Sequence, residues 1–395
     1  MERKNLSLIL RTVEDHPGAI DKPRDVSPES SNNEPADMAP LRGLSFLDRF
    51  LVVWIFLAMA IGIILGNLIP SAGPSLQRGT FVGVSVPIAV GLLVMLFPIL
   101  CKVRYETLHK LLSRRSLWRQ LLVSFVLNWI LAPLLMTGLA WAFLPDRQDL
   151  REGLIFVGVA RCIAMVLVWT DLAHGDGDYC AVLVAVNSLL QIVLFAPLAI
   201  FYTRVVSGGG EGHSTAAATV RYEVVAKSVA VFMGIPLAAA VLTRLVLLRV
   251  LGPSRYLTYF IRPLSPLSLV GLLYTIVVLF ASQGAHVAHQ ITSVLRVAAP
   301  LVVYFMLVFG GTVLLCRRVL PRWLGCDDGY AVACAQSFTA ASNNFELAIA
   351  VCVATFGSGS GQSLAATVGP LIEVPVLIGL VYVLRFVKKR WDWEG

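Results

Sequence analysis

Apolar residues arrive in long, nearly unbroken runs, and the charges collect in the short polar stretches between them. About 20 apolar residues at 1.5 Å rise cross the hydrocarbon layer of a bilayer. Ten such runs are predicted as spanning helices, at 50–69, 81–100, 120–143, 153–171 and 180–202, then at 224–248, 265–282, 297–316, 330–355 and 363–386. Residues 204–223 separate the two sets and contain Ser207-Gly208-Gly209-Gly210, a polar and flexible linker. The expected organisation is therefore a first five-helix unit over 42–203, a second over 224–387, and a short cytosolic tail at 388–395. Residues 1–41 differ in texture, with Pro17, Pro23, Pro28, Pro35 and Pro40 set among Ser, Asn, Asp and Glu. So little apolar surface cannot offset the entropy of ordering, and a disordered cytosolic tail is expected. The apolar patch from Leu6 to Leu10 is too short, and too poorly followed by a cleavage pattern, for a signal peptide.

Composition agrees with a membrane solvent. Hydrophobic residues make up 57% of the 395 and charged ones 14%, against about 25% charged in a soluble domain. The net charge of +8 does not mark a nucleic-acid binder, because the basic residues lie between apolar runs rather than on one soluble face. With the N-terminal tail inside, residues 42–49, the inner loops and the C-terminal tail together carry 19 Lys and Arg and the outer loops seven. That asymmetry predicts an even number of spans with both termini cytoplasmic; the plasma membrane is the expected location, although no sorting address is written in the chain. The seven cysteines form no CxxC pair, so neither a disulfide framework nor a zinc site is expected. Oligomeric state is not legible, although Gly62 and Gly66 make a small-xxx-small face able to pack helices within or between chains.

A shift of 182 residues lays Gly175, Gly177, Val186 and Leu189 on Gly357, Gly359, Val368 and Leu371. Five spans per unit is an odd number, so two copies must enter the membrane in opposite directions. Carriers built this way bind cargo between the copies at mid-depth, where broken helices expose unwound backbone. The expected fold class is an all-α polytopic membrane protein of ten helices in two inverted repeats, with broken, crossing fourth and ninth helices.

The same shift sets Arg161 opposite Asn343 and Cys162 opposite Asn344, in the polar, small-residue interruptions of spans four and nine. Arg161 near mid-span costs about 3 to more than 10 kcal/mol without a partner. Two readings stand: a buried tie to a carboxylate or to freed helix carbonyls, or a charge that tunes the adjacent thiol. A lone membrane cysteine is usually a packing residue. Beside a cation, Cys162 gains thiolate character and affinity for soft, thiophilic species. Glu346 is a candidate proton carrier, with a static bridge to Arg161 as the equal alternative, and Glu373 is a second candidate with Gln191 as its counterpart. Asn187, Asn343 and Asn344 offer neutral hydrogen bonds, and Trp169 is expected to pack in the core. No phosphate loop, HExxH or GxSxG motif is present, which argues against ATP hydrolysis and against an enzyme, and no cofactor or metal is called for.

Arg161-Cys-Ile-Ala-Met165 followed by Trp169, together with Phe338-Thr-Ala-Ala-Ser-Asn-Asn-Phe-Glu-Leu-Ala-Ile-Ala350, closely resembles the Acr-type arsenical-resistance permeases of the bile acid/arsenite/riboflavin transporter superfamily. The resemblance runs from about Leu44 to Arg385. It implies ten spans and efflux of arsenite, sometimes antimonite, in exchange for protons. It also implies that Cys162 and Glu346 are required, with Arg161, Trp169, Asn187, Asn344, Phe345 and Glu373 matching family-like positions. Two rivals remain at this stage. A sodium-coupled organic-anion symporter of the same superfamily would need a sodium cage and would leave the thiol idle. A membrane receptor or sensor would need no inverted halves.

Overall fold

The computed structural model describes residues 50–69, 71–103, 105, 115–163, 165–208, 221–288, 291–318, 329–391 and 393. The expected N-terminal tail, most of the polar linker, Cys326 and the very end of the chain lie outside the described residues. The rest is almost wholly helical, with α1 at Leu51–Leu68, a short α2 at Ala72–Leu76 and α3 at Val86–Lys102. The second span was expected to begin at 81. Instead Thr80–Phe81 and Val84–Ser85 form a two-stranded ribbon, its turn made by Val82 and Gly83 at positive φ. Pro87 then sits in the first turn of α3, where no N–H is needed.

Helix α4 runs from Arg115–Val126 through a π-helical stretch, Leu127–Leu131, into Ala132–Phe143. The predicted fourth span is two half-helices, α5 (Gln148–Val159) and α6 (Met165–Leu172). Asp176 caps the start of α7 (Gly177–Ile200, continuing over Phe201–Val206) by accepting from the Tyr179 N–H. Next, α8 comprises Tyr222–Val229, Ala230–Gly234 and Ile235–Arg255. Gly252, at φ 77° and ψ 164°, breaks its axis, a conformation barred to residues with a Cβ. The chain continues through Tyr256–Ile261 into α9 (Arg262–Ala288), so helix replaces most of the loop expected between the sixth and seventh spans. Helix α10 is Ile291–Arg318. The predicted ninth span is again double, α11 (Gly329–Ala341) and α12 (Phe345–Phe356), and α13 (Gly361–Arg390) closes the chain.

Five helical stretches are long and apolar enough to cross a bilayer by length and composition: Leu117–Phe143, Gly177–Val206, Tyr222–Ser282, Thr292–Arg318 and Gly361–Arg390. Large apolar side chains point outward along them and along α1, including Ile61, Ile64, Leu242, Leu245, Met306 and Phe386. Water would not tolerate such a continuous apolar exterior, and lipid requires it. The chain is a polytopic integral membrane protein.

Inside, α9 packs along both α1 and α3, α10 lies against α11 and α13, and α13 against α5. Small residues permit the closest crossings. A Cβ on Gly62 would stand 2.8 Å from both Phe280 Cβ and Val277 O, so this glycine serves packing of α1 on α9 within the chain. Gly91 of α3 and Gly271 of α9 do the same for each other's helix, meeting Tyr274 and Met95 respectively.

Candidate functional site

The small and polar residues that interrupt α5/α6 and α11/α12 leave two extended stretches, and these lie antiparallel with Arg161 and Asn343 paired in an isolated bridge. The Cys162 N–H donates to Ser342 O at 3.4 Å, and the Asn344 N–H donates to Ala160 O at 3.1 Å. Helix ends leave carbonyls and N–H groups without intrahelical partners. Here each broken span satisfies part of the other's deficit, which is how non-helical backbone survives at membrane depth.

The contacts repeat at the offset read from the sequence. Residues 161 and 343 differ by 182, as do 160 and 342, and 162 and 344. The Arg161 N–H donates to Gln191 Oε1, and the Asn343 N–H donates to Glu373 Oε1 at 3.3 Å, with Gln191 and Glu373 again 182 apart. Ser342 Oγ also donates to Glu373 Oε1. The Asn343 amide donates across the crossing to Val157 O at 2.8 Å and to Ala160 O at 3.2 Å.

Arg161 is completely buried. Its guanidinium donates to Gly158 O, to Ala340 O at 3.3 Å and to the Tyr304 hydroxyl at 3.3 Å. Those two carbonyls belong to the last turns of α5 and α11, where a helix carries about half a negative charge. Among the described residues Arg161 makes no ion pair with Glu346 or any other carboxylate. Of the readings the sequence left open, the tie to freed carbonyls is the one present.

A cavity of about 600 Å³ opens beside the crossing. Cys162, Asn343, Phe345, Glu346 and Glu373 line it together, from the two breaks and from α13. Much of its remaining wall is apolar, with Ile55 from α1, Ile99 from α3, and Leu257 and Leu269 on the α9 side. Lys102 and Arg262, at the C-terminal end of α3 and the start of α9, stand at the same end of the cavity walls. Glu346 lies in the first turn of α12, where the helix favours negative charge. Beside the crossing the chamber thus offers one thiol, one amide and two carboxyl groups, with the thioethers of Met95 and Met165 and the cations Lys102 and Arg262 elsewhere on its wall. That set suits a small, soft, oxygen-bearing solute and a transferable proton.

Four of the residues singled out in the sequence do not line this cavity. Arg161 is behind the crossing, and Trp169, 1% exposed, packs in the core as expected. Asn187 accepts a hydrogen bond from Trp129 Nε1 at 3.2 Å, within the π-helical stretch of α4. Asn344 caps α12, its Oδ1 accepting from the Leu347 N–H at 3.0 Å. These two asparagines hold the framework rather than face the cavity in this conformation. Ser342 and Tyr304 were missed. Ser342 lies inside the polar window of the ninth span but its residue type carries no distinguishing signal, and Tyr304 gives none among the apolar residues of its span. None of the six described cysteines takes part in a disulfide. Among the described residues no group of three or more His, Cys, Asp or Glu is placed to hold a metal ion.

Comparison with known proteins places this geometry in a family. The sequence pattern of the Sodium Bile acid symporter family matches residues 89–290, just over half of the chain. An arsenical-resistance protein Acr3 of Corynebacterium glutamicum is 45% identical over 344 residues, covering 87% of this chain and 90% of its own. An uncharacterized transporter of Synechocystis sp. is 31% identical over 361 residues, covering 87% and 89%. A second arsenical-resistance protein Acr3, from Alkaliphilus metalliredigens, is 29% identical over 352 residues, covering 87% and 93%. A chain that matches along this length, and carries both broken-span motifs at its crossing, belongs to the Sodium Bile acid symporter family, among its Acr-type arsenical-resistance permeases.

Proposed function

We propose that this protein exports arsenite from the cytosol in exchange for protons, and that antimonite shares the route. The observation that carries the reading is the joint presence of Cys162 and Glu346 on one cavity, beside the crossing of two broken spans. The names of the Acr3 relatives point to the same cargo. Arsenite at neutral pH is an uncharged trihydroxide, so the membrane potential alone cannot expel it. Exchange for an inward proton makes export electrogenic, at about 2.3 kcal/mol per charge per 100 mV.

In this scheme Cys162 Sγ forms one reversible arsenic–sulfur bond as one arsenic-bound hydroxyl leaves as water, carrying the thiol proton. The Asn343 side chain, held by two backbone carbonyls, lies alongside. A single thiol keeps the cargo exchangeable, where three would trap it. Glu346 is the proton carrier of choice, since no hydrogen bond or ion pair from another side chain fixes it among the described residues, whereas Glu373 is held by Ser342 and Asn343. Arg161, Trp169, Asn187, Asn344 and Phe345 support the arrangement.

The repeated 182-residue offset of contacts at the crossing supports ten spans arranged as two inverted five-helix copies. The basic-residue asymmetry supports cytoplasmic termini, with Lys102 and Arg262 on the cytosolic side, so that the cavity faces inward; export from the cell places the protein in the plasma membrane in this scheme. A receptor would need no such cavity between crossed, unwound helices.

Everted vesicles containing the protein are expected to accumulate arsenite only with a proton gradient directed inward across the original membrane. Cys162→Ser is expected to abolish this while the protein stays in the membrane. Full transport by Cys162→Ser, or no arsenite flux in the unaltered protein under any gradient, overturns the proposal.

A further inference from the structure

The crossing poses an electrostatic problem that the arsenite reading leaves aside. Helices α5 and α11 both end there, each directing the negative end of its dipole at the same buried point. In carriers with unwound spans, such carbonyl-bearing ends commonly coordinate the coupling cation. The family's own description names sodium. In this chain the carbonyls in question already face a cation. Gly158 O and Ala340 O occupy equivalent positions 182 residues apart, and both accept hydrogen bonds from the one guanidinium of Arg161. Tyr304 of α10 provides a third oxygen to the same group. Arg161 is wholly buried and does not line the cavity, so its charge serves the helix ends rather than the cargo.

We propose that Arg161 is a resident cation standing where a coupling sodium ion would otherwise be held between the ends of α5 and α11, so that this carrier works without sodium. An arginine guanidinium is a cation tethered to the chain and cannot leave with the cargo. It therefore fixes the two half-helix ends permanently and carries no free energy from an ion gradient. The only mobile charge left to the site is the proton on its carboxyl groups. Arg161 is on this view a positioning residue that sets ion specificity.

This inference rests on the carrier reading above, and one experiment separates their failures. Arsenite uptake into everted vesicles is measured with sodium replaced by choline, for the unaltered protein, Arg161→Ala and Arg161→Lys. The unaltered protein is expected to be indifferent to the replacement. Arg161→Ala is expected to lose at least about tenfold in rate, as two buried carbonyls lose their partner. It should regain part of that loss with sodium or with millimolar guanidinium, the cation refilling the cage. Arg161→Lys, which keeps the charge, is expected to remain sodium-independent. Thermal midpoints of the purified proteins in detergent provide a second readout, with sodium or guanidinium expected to raise that of Arg161→Ala alone. Sodium-dependent arsenite uptake by the unaltered protein overturns this inference and leaves the carrier reading standing. So does an Arg161→Ala protein that gains neither rate nor stability from either cation. Absence of arsenite flux in the unaltered protein under every ion condition overturns the carrier reading itself.

Discussion

Replacing Gly369 by alanine tests the geometry of the site from behind. Gly369 lies in α13, and the ring of Phe345, first residue of α12, rests directly on its backbone. A Cβ added at Gly369 would overlap the Cδ1 and Cε1 atoms of that ring. Phe345 is only 2% exposed, so the ring cannot swing out to lipid. Its outlet is the cavity it lines, next to Glu346. Overpacking of this kind costs about 1–3 kcal/mol, against which alanine returns about 1 kcal/mol of helix preference over glycine. Gly379, on the same helix, has nothing within 4 Å of its Cβ position and provides the control. Gly379→Ala is expected to be neutral or slightly stabilising. Gly369→Ala is expected to lower the thermal midpoint in detergent and to raise the arsenite concentration at half-maximal flux. Adding Phe345→Leu to Gly369→Ala should recover part of the stability, because the flat ring that collides is gone. If Gly369→Ala matched Gly379→Ala in both measurements, the packing of Phe345 on α13 described above would be wrong.

Glu346→Gln is expected to uncouple arsenite movement from the proton gradient, leaving at most downhill exchange; a pH dependence of flux identical to the unaltered protein would transfer the proton role to Glu373. Gly62→Val should weaken α1 on α9 by about 1–3 kcal/mol, since the added carbons meet Val277 O and Phe280 Cβ, and an unchanged thermal midpoint would contradict that contact. In the loop before α5, the hydrogen bonds from Arg296 hold the Asp146 carboxyl below the ordinary aspartate range. A depressed carboxyl stabilises the fold above its unfolded pKa and loses that contribution as pH falls through the folded value. Asp146→Asn should therefore flatten the acid side of the pH–stability curve, and curves of identical shape would count against the pair.

Much of this architecture was legible because lipid imposes simple rules. A run of twenty apolar residues has few other uses, and the positions of α1, α4, α7, α10 and α13 follow from that alone. The two breaks were legible as well, since polar residues among Gly and Ala at mid-span, as in Phe338-Thr-Ala-Ala-Ser-Asn-Asn, suit unwound backbone better than lipid-facing helix. What escaped was direction. Hydropathy cannot tell which way an asparagine turns, and Asn187 and Asn344 turned to Trp129 and to the start of α12 rather than to the cavity. Nor could it tell which oxygens Arg161 would meet, because carbonyl groups are identical in every residue. The π-helical stretches, such as Leu127–Leu131, left no trace in the hydrophobic period, as one extra residue in a turn is invisible in an all-apolar run.

The mutual bonding of the two unwound stretches also decides what the chamber will refuse. The amide hydrogens of Arg161, Cys162, Asn343, Asn344 and Leu347 are all engaged with other parts of the protein. Tetrahedral oxyanions such as phosphate and arsenate are recognised by convergent arrays of such donors, and these five are already spent; the cations on the cavity wall, Lys102 and Arg262, belong to the ends of α3 and α9 rather than to the crossing. Export of trivalent arsenic, as proposed above, would have to proceed in a cytosol crowded with phosphate. A crossing with these amides engaged would leave few of its backbone donors for such an anion.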